Sequence, residues 1–318
     1  MVARELIVKE LKQVKLQLIL TSLIIGFFAP IGFWVDYMNY LRYEPSSSPG
    51  FVYSFDSSPY VFGFVLLVVT LAVTQMGFEK SRGTIDFTLG LPASRGSIFF
   101  TKWLIGVATI LLSWVVSFLM MWILLTFTQS TAVHFLEFNF FLLPTMFMFY
   151  TLCMASGAIT GTPFAQGLVV LSVSVLPILT VLLIMVNVAA FLHVSIGLSE
   201  IIWLYTSQVS PASYLTFDYL KTSDTVYVFP LLVIVISYLV GHISFVKHPN
   251  ERNGYFFVWK WLNLPVQALV MLIGILGFSW FGYASGDESL LGYVVGALIG
   301  ASTGFSLGYF LIYKKKKA

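Results

Sequence analysis

Cysteine and charge are both scarce in this chain. Cys153 is the single cysteine among 318 residues, which excludes a disulfide within the chain and a cysteine-rich metal cluster. Four histidines, His134, His193, His242 and His248, are scattered without ligand spacing and read as packing or interface residues. No His-Glu-x-x-His array is present, and no Gly-rich loop ends in Lys-Ser/Thr, so the sequence carries no P-loop of its own. Asp, Glu, Lys and Arg together make up only 10% of the residues, and the apolar stretches contain no paired carboxylates. A membrane-embedded enzyme acting on lipid would need such clusters at one interface, and the pattern argues against it.

Apolar residues fill the space that charge leaves. They account for 58% of the chain, with a mean hydropathy of +0.90. A soluble globule must still face water over most of its outside and does not need that much apolar surface. A helix crosses the hydrocarbon core with about 20 apolar residues. Eight such runs are legible, at roughly 16–35, 61–77, 103–127, 139–160, 167–191, 229–246, 264–283 and 290–313. They are continuously apolar rather than alternating, which speaks for helices over a β-barrel. The expected fold is an all-α polytopic membrane protein.

Within these limits the eight runs hold no Asp, Glu, Lys or Arg. Ion-coupled carriers keep ionisable groups inside their spans because charge at that depth is costly and is retained for a task. A proton- or sodium-driven carrier therefore has little support. Gln75, Asn187 and His242 are among the polar residues in these runs, each near a span end or able to hydrogen-bond to a neighbouring helix.

Charge sets the expected direction. With eight crossings the termini share a side, and fifteen of the seventeen Lys and Arg fall on it. Only Arg42 and Lys221 lie opposite, together with nine of the fourteen acids. The positive-inside rule then places both termini in the cytoplasm, with the protein in the cell's plasma membrane. The first residues, MVARELIVKELKQVKLQLIL, carry dispersed charge and no small-residue cleavage site, unlike a cleaved signal peptide. Residues 192–228 are too polar for a ninth span and read as an outer loop with one or two short amphipathic helices.

Several segments stand outside the spans. Residues 2–15 place Leu6, Ile7, Leu11 and Val14 near one helical face, with Glu5, Lys9, Lys12 and Lys15 elsewhere. That pattern suits an interfacial helix on anionic lipid, or a plain extension of the first span. The aromatics Tyr43, Phe51, Tyr53, Phe55 and Tyr60 suit either an interfacial belt or contact with an amphipathic substrate. Gly292, Gly296, Gly300, Gly304 and Gly308 recur at fourfold spacing, so they share one face of the last helix. Such a groove admits another backbone closely, either the seventh span or another subunit. Lys314 to Lys317 form a basic tail anchor.

The most structured basic connection is 79–102, EKSRGTIDFTLGLPASRGSIFFTK. It carries charges, then an amphipathic stretch, a break at Leu91-Pro92 and a second helix start near Ser94. A docking elbow and a snorkelling basic connector both fit. The pattern Glu79-x-x-Arg82-Gly83-Thr84, then Leu89-x-Leu91-Pro92-x-x-Arg95 and Lys102, resembles the membrane subunits of ABC exporters of the ABC-2 type.

That resemblance implies an interfacial elbow helix at 1–15 and a six-span domain at 16–246. It also implies a coupling helix at 79–91 that fits a groove of the ATP-binding subunit. Glu79, Arg82, Gly83, Thr84, Asp86, Leu89, Leu91, Pro92 and Arg95 would then be the coupling residues. Residues 247–318 add two spans and the basic tail. With that addition the chain resembles larger permeases of Bacillus-like bacteria beside GntR-type regulators, associated with acetoin utilisation or cell-wall stress. The implied role is half of a translocation path for an amphipathic peptide, antibiotic or lipid-like substrate. A membrane module that senses or resists envelope stress is the alternative. The implied partners are a cytoplasmic ABC ATPase dimer, a second permease and membrane lipid, with no nucleic acid. No cofactor or metal is expected on this chain, and ATP and Mg²⁺ would be bound by the ATPase.

Overall fold

A computed structural model of the chain describes residues 2–43, 50–55, 58–90, 92–192, 208–216, 224–248, 252 and 254–313. Helices dominate, and among the described residues eight are long and apolar enough to cross a membrane. A short helix α1 (Val2–Gln13) leads into α2 (Lys15–Tyr43). Strand β1 (Val52–Ser54), α3 (Ser58–Ser81), the one-and-a-half-turn α4 (Thr84–Leu89) and the long α5 (Arg95–Thr128) follow. Next come β2 (Thr131–Val133), α6 (Phe135–Ile159), α7 (Pro163–Leu192) and α8 (Val228–Val246). The chain ends in α9 (Asn263–Ser285) and α10 (Leu290–Tyr313). Of the loop expected at 192–228, the described part holds 3₁₀ turns at Pro211–Leu215 and Asp224–Tyr227. The rest of that loop, Leu91 and Lys314 to Lys317 lie outside the described residues.

The body is built around α6, whose apolar window is 78% buried against 6% for that of α9. α3, α5, α7 and α8 pack around it, and α2 lies along α5. Lipid tails are as apolar as leucine, so packing and polar contacts rather than the hydrophobic effect select these neighbours. The helices extend beyond their apolar cores. α5 has 34 residues, about 51 Å at 1.5 Å each against a hydrocarbon core of about 30 Å. Its first turns therefore bring Arg95 and Lys102 into the same helix as the span.

At one end of the bundle β1 and β2 pair in parallel, with Val52, Tyr53 and Ser54 opposite Thr131, Ala132 and Val133. This pairing overturns the surface role expected for two aromatics of the first loop, Tyr53 and Phe55. Tyr53 and Phe55 are buried, and Tyr43 alone of the set is largely exposed. The Tyr53 ring lies 5.2 Å from that of Phe33, Tyr53 is 4.9 Å from Phe55, and Phe55 is 5.2 Å from Phe135. Backbone hydrogen bonds hold β1 against β2, and of its side chains Tyr53 turns inward while Val52 and Ser54 stay exposed. The rings become an edge-to-face plug joining α2, the sheet and α6.

At the other end α1 lies against the bundle through Leu6, Glu10 and Val14, which share one face at i, i+4 spacing. Ile7 and Leu11 are exposed instead. The buried stripe thus contains a carboxylate where composition pointed to an apolar face. Residues 254–258 cross the end of α6, where Gly254 N–H donates to Gly161 O (3.1 Å) and Val258 N–H to Ile159 O (2.9 Å). They lead into the α9–α10 hairpin, which touches the body mainly through α7.

Candidate functional site: a buried charge clamp under an exposed elbow

The segment singled out in the sequence folds as an elbow. α3 ends at Ser81, Gly83 takes a left-handed φ of +70°, and α4 turns away. A side chain at Gly83 would be strained in that conformation. The next long helix starts at a cap: Ser94 accepts from Ser97 N–H at 3.2 Å. Arg82, Gly83, Thr84, Phe87 and Pro92 are exposed along the elbow. Leu89 packs on the core. Asp86 lies in α4, but its side chain is outside the described residues.

Beneath the elbow is a cluster of charge. Lys102 Nζ lies 2.7 Å from Glu79 Oε2 and 2.7 Å from Glu10 Oε2, and all three side chains are fully buried. Thr88 of α4 donates its hydroxyl to Glu79 Oε1 at 2.6 Å. Lys9 donates to the Thr88 hydroxyl and stands 3.9 Å from both Glu10 and Glu79. Two carboxylates and two ammonium groups from α1, α3 and α5 thus form a neutral quartet, which the threonine ties to α4. Desolvation pulls the Lys9 ammonium below its ordinary pKa, with the Glu10 and Glu79 carboxylates opposing that shift.

A buried ion pair is weak evidence for stability, since packed apolar residues often serve as well. Removing one partner alone, however, leaves an uncompensated buried charge. The cluster is better read as a device that fixes which helices meet, and in what register. It makes the elbow an extension of α1, α3 and α5 rather than a loose loop. Glu79 is therefore buried beneath the elbow rather than displayed on its outer face.

The polar network continues inward. Tyr150 donates to Gln75 Oε1 at 2.6 Å and to Lys102 O at 3.2 Å. Gly106 is required there, because a Cβ would overlap the Tyr150 hydroxyl. Gln166 Nε2 donates to Cys153 O (2.9 Å) and Ala72 O (3.2 Å). Lys80, also buried, donates to Gly157 O at 2.7 Å and Thr160 O at 2.8 Å. These are carbonyls at the C-terminal end of α6, where a cation both fills orphan acceptors and meets the negative end of the helix dipole. Arg95 does the same for α8, donating to His248 O at 2.7 Å. His242 packs against Gly96 and Phe99.

Most of these partners were not legible from the chain alone. Glu10, Lys9, Thr88, Lys80 and Tyr150 carry no motif that marks them as part of the site. The available signal was the position of Glu10 midway between Leu6 and Val14 on an otherwise apolar face.

The glycine repeat lies at the other end of the chain and is separate from this site. A Cβ on Gly292, Gly296, Gly300 or Gly304 would run into α9 backbone at Gly282, Phe278, Gly274 or Met271, and one on Gly308 would meet Gln267. The repeat thus faces α9 of the same chain.

Comparison with known proteins gives the architecture its context. The chain is 36% identical over 319 residues to YtrD of Bacillus subtilis (strain 168), described as a probable ABC transporter permease, and 98% of each chain is covered. It is 37% identical over 329 residues to YtrC of the same organism, described in the same words, over the full length of both. The chain belongs to the ABC transporter permeases. No family profile and no solved structure matches it. Because the likeness runs from end to end, the α9–α10 hairpin is part of what this permease shares with those relatives. Multi-pass membrane helices and a permease ancestry make it a transport component of the membrane.

Proposed function

We propose that this permease is the membrane subunit of an ATP-driven exporter of the ABC-2 type. A separate cytoplasmic ATPase would dock on the elbow formed by residues 82–92, and a second permease, identical or homologous, would complete the translocation path. The observation that carries this reading is mechanical. An exposed surface of Arg82, Gly83, Thr84 and Phe87 sits directly on a buried clamp that binds it to three helices. A push on α4 would be delivered through Thr88 and Glu79 to Lys102 on α5 and Glu10 on α1. α3 and α5 would then move against the rest of the bundle as rigid elements, as helices do in alternating access. The charge bias supports a cytoplasmic elbow and cytoplasmic termini. ATP and Mg²⁺ would be held by the ATPase, and this chain would perform no chemistry of its own. The cargo suggested by the resemblance is an amphipathic peptide, antibiotic or lipid-like molecule.

Copurification of the complex from its native membrane tests the reading. Arg82→Glu and Phe87→Ala, both at exposed positions, should leave folding within about 0.5 kcal/mol of wild type. They should lower ATPase retention and permease-stimulated ATP turnover. Unchanged retention and turnover in both variants would remove the elbow from the coupling path.

A further inference from the structure

Between the first helix and the end of α3 lies a half-open cleft of about 630 Å³. Two cations stand at its mouth, each against an aromatic ring. Lys9 Nζ is 5.7 Å from the centroid of Phe87, and the Arg82 guanidinium carbon is 5.8 Å from that of Phe78. Val14, Leu16 and Thr74 also line it, beside the amides of Gln13 and Gln17. The Thr74 hydroxyl is occupied by the Leu71 carbonyl at 2.7 Å, so it presents little unsatisfied polarity to the cleft. Eight residues separate Arg82 from Thr74, about 12 Å at the helical rise. The cleft therefore carries cations at the basic end of the bundle, with apolar side chains and two amides beyond them. Glu79 also borders it; its carboxylate is held by Lys102 and Thr88 and, 3.9 Å from Lys9, offsets part of that charge.

We propose that this cleft binds an anionic phospholipid, with the headgroup phosphate between Lys9 and Arg82 and an acyl chain along Val14, Leu16 and Thr74. A molecule with a negative head, ester carbonyls that can accept from Gln13 and Gln17, and an apolar tail matches this lining. Its position at the basic end of the spans places it at headgroup depth. The partial desolvation of Lys9 favours the same occupant, since a phosphate would supply counter-charge that Glu10 and Glu79 already share with Lys102. A bound lipid would wedge between the first helix and the elbow and so brace their relative position. This inference rests on the membrane fold and not on the transport reading, and its test needs no ATPase.

Native mass spectrometry of the delipidated, detergent-purified chain is the measurement. Phosphatidylglycerol, phosphatidylcholine and glycerol 3-phosphate would be added separately. Phosphatidylglycerol should be retained as a single tightly held copy, and the other two far more weakly. Lys9→Gln with Arg82→Gln should weaken that retention by roughly 30-fold, the size expected for two cations at a membrane surface. Gln at position 9 keeps a donor for Thr88, and Arg82→Gln alone, at an exposed site, should give part of the loss if the pair does not fold. Arg4→Gln with Lys12→Gln, on the exposed side of the first helix, should change little. Equal retention of phosphatidylcholine, equal binding of glycerol 3-phosphate, or equal loss in the Arg4/Lys12 variant would overturn the proposal. So would wild-type retention of phosphatidylglycerol by the Lys9/Arg82 variant.

Discussion

The six-span body and the α9–α10 hairpin solve the same problem in different ways. In the body, helices from distant parts of the chain are joined by directional groups: Lys102 to Glu79 and Glu10, Lys80 to the end of α6, Gln166 to α3 and α6. In the hairpin, neighbouring helices meet backbone to backbone along a glycine groove, with Gly274 against Gly300 and Gly282 against Gly292. Its polar link to the body runs through Asn187, which donates to Leu276 O at 3.0 Å. Lipid offers no hydrophobic drive between helices, so both regions rely on what remains: hydrogen bonds and ions, or close van der Waals approach. The polar solution selects particular partners across many residues of sequence. The glycine solution needs proximity first, and the short turn between α9 and α10 provides it.

Three substitutions would break this contrast, in descending order of effect. Lys102→Met leaves Glu10 and Glu79 buried with only the half-exposed Lys9 nearby, a loss of about 3–5 kcal/mol for a broken buried pair. Thermal unfolding of the detergent-purified chain should show it. Adding Glu10→Gln and Glu79→Gln should recover most of the loss. A triple variant no better than the single would mean that size, rather than charge, holds the clamp. Gly300→Leu should force α9 and α10 apart at a cost of about 1–3 kcal/mol, typical of overpacking. Limited proteolysis should then reach the hairpin while the body keeps its melting behaviour. Joint melting of both would show that the hairpin is integral to the body. Asn187→Leu should cost about 0.6 kcal/mol, the average for a polar contact between membrane helices. It should loosen the hairpin from α7 without altering α9–α10 packing, as read by crosslinking of cysteine pairs in a Cys153→Ser background.

The parts of the fold that depend on local pattern were open to sequence reasoning. A run of apolar residues long enough to span is a one-dimensional property, and so is the fourfold spacing of Gly292 to Gly308. The inward turn of Tyr53 and Phe55 was not legible, because it follows from pairing with Thr131–Val133, some eighty residues on. The clamp was hidden for a related reason. Glu79, Lys80 and Lys102 stand at span ends, where a charged residue ordinarily reaches for water or headgroups. Nothing in their spacing tells a snorkelling lysine from one that closes on two carboxylates. Arg82 and Phe87 remain on the outside of the elbow, whereas Glu79, three residues before Arg82, lies within it.

The order of apolar runs by itself determined the eight helices, among the described residues, that are long and apolar enough to cross a bilayer, because transfer of each segment into hydrocarbon is decided almost independently of its neighbours. Tertiary structure alone decided that Glu10, Glu79 and Lys102 share one dry site and that the first-loop aromatics plug the opposite end. Contacts of that kind form only between residues brought together from separate helices, and their energy depends on angstrom distances that no linear spacing encodes.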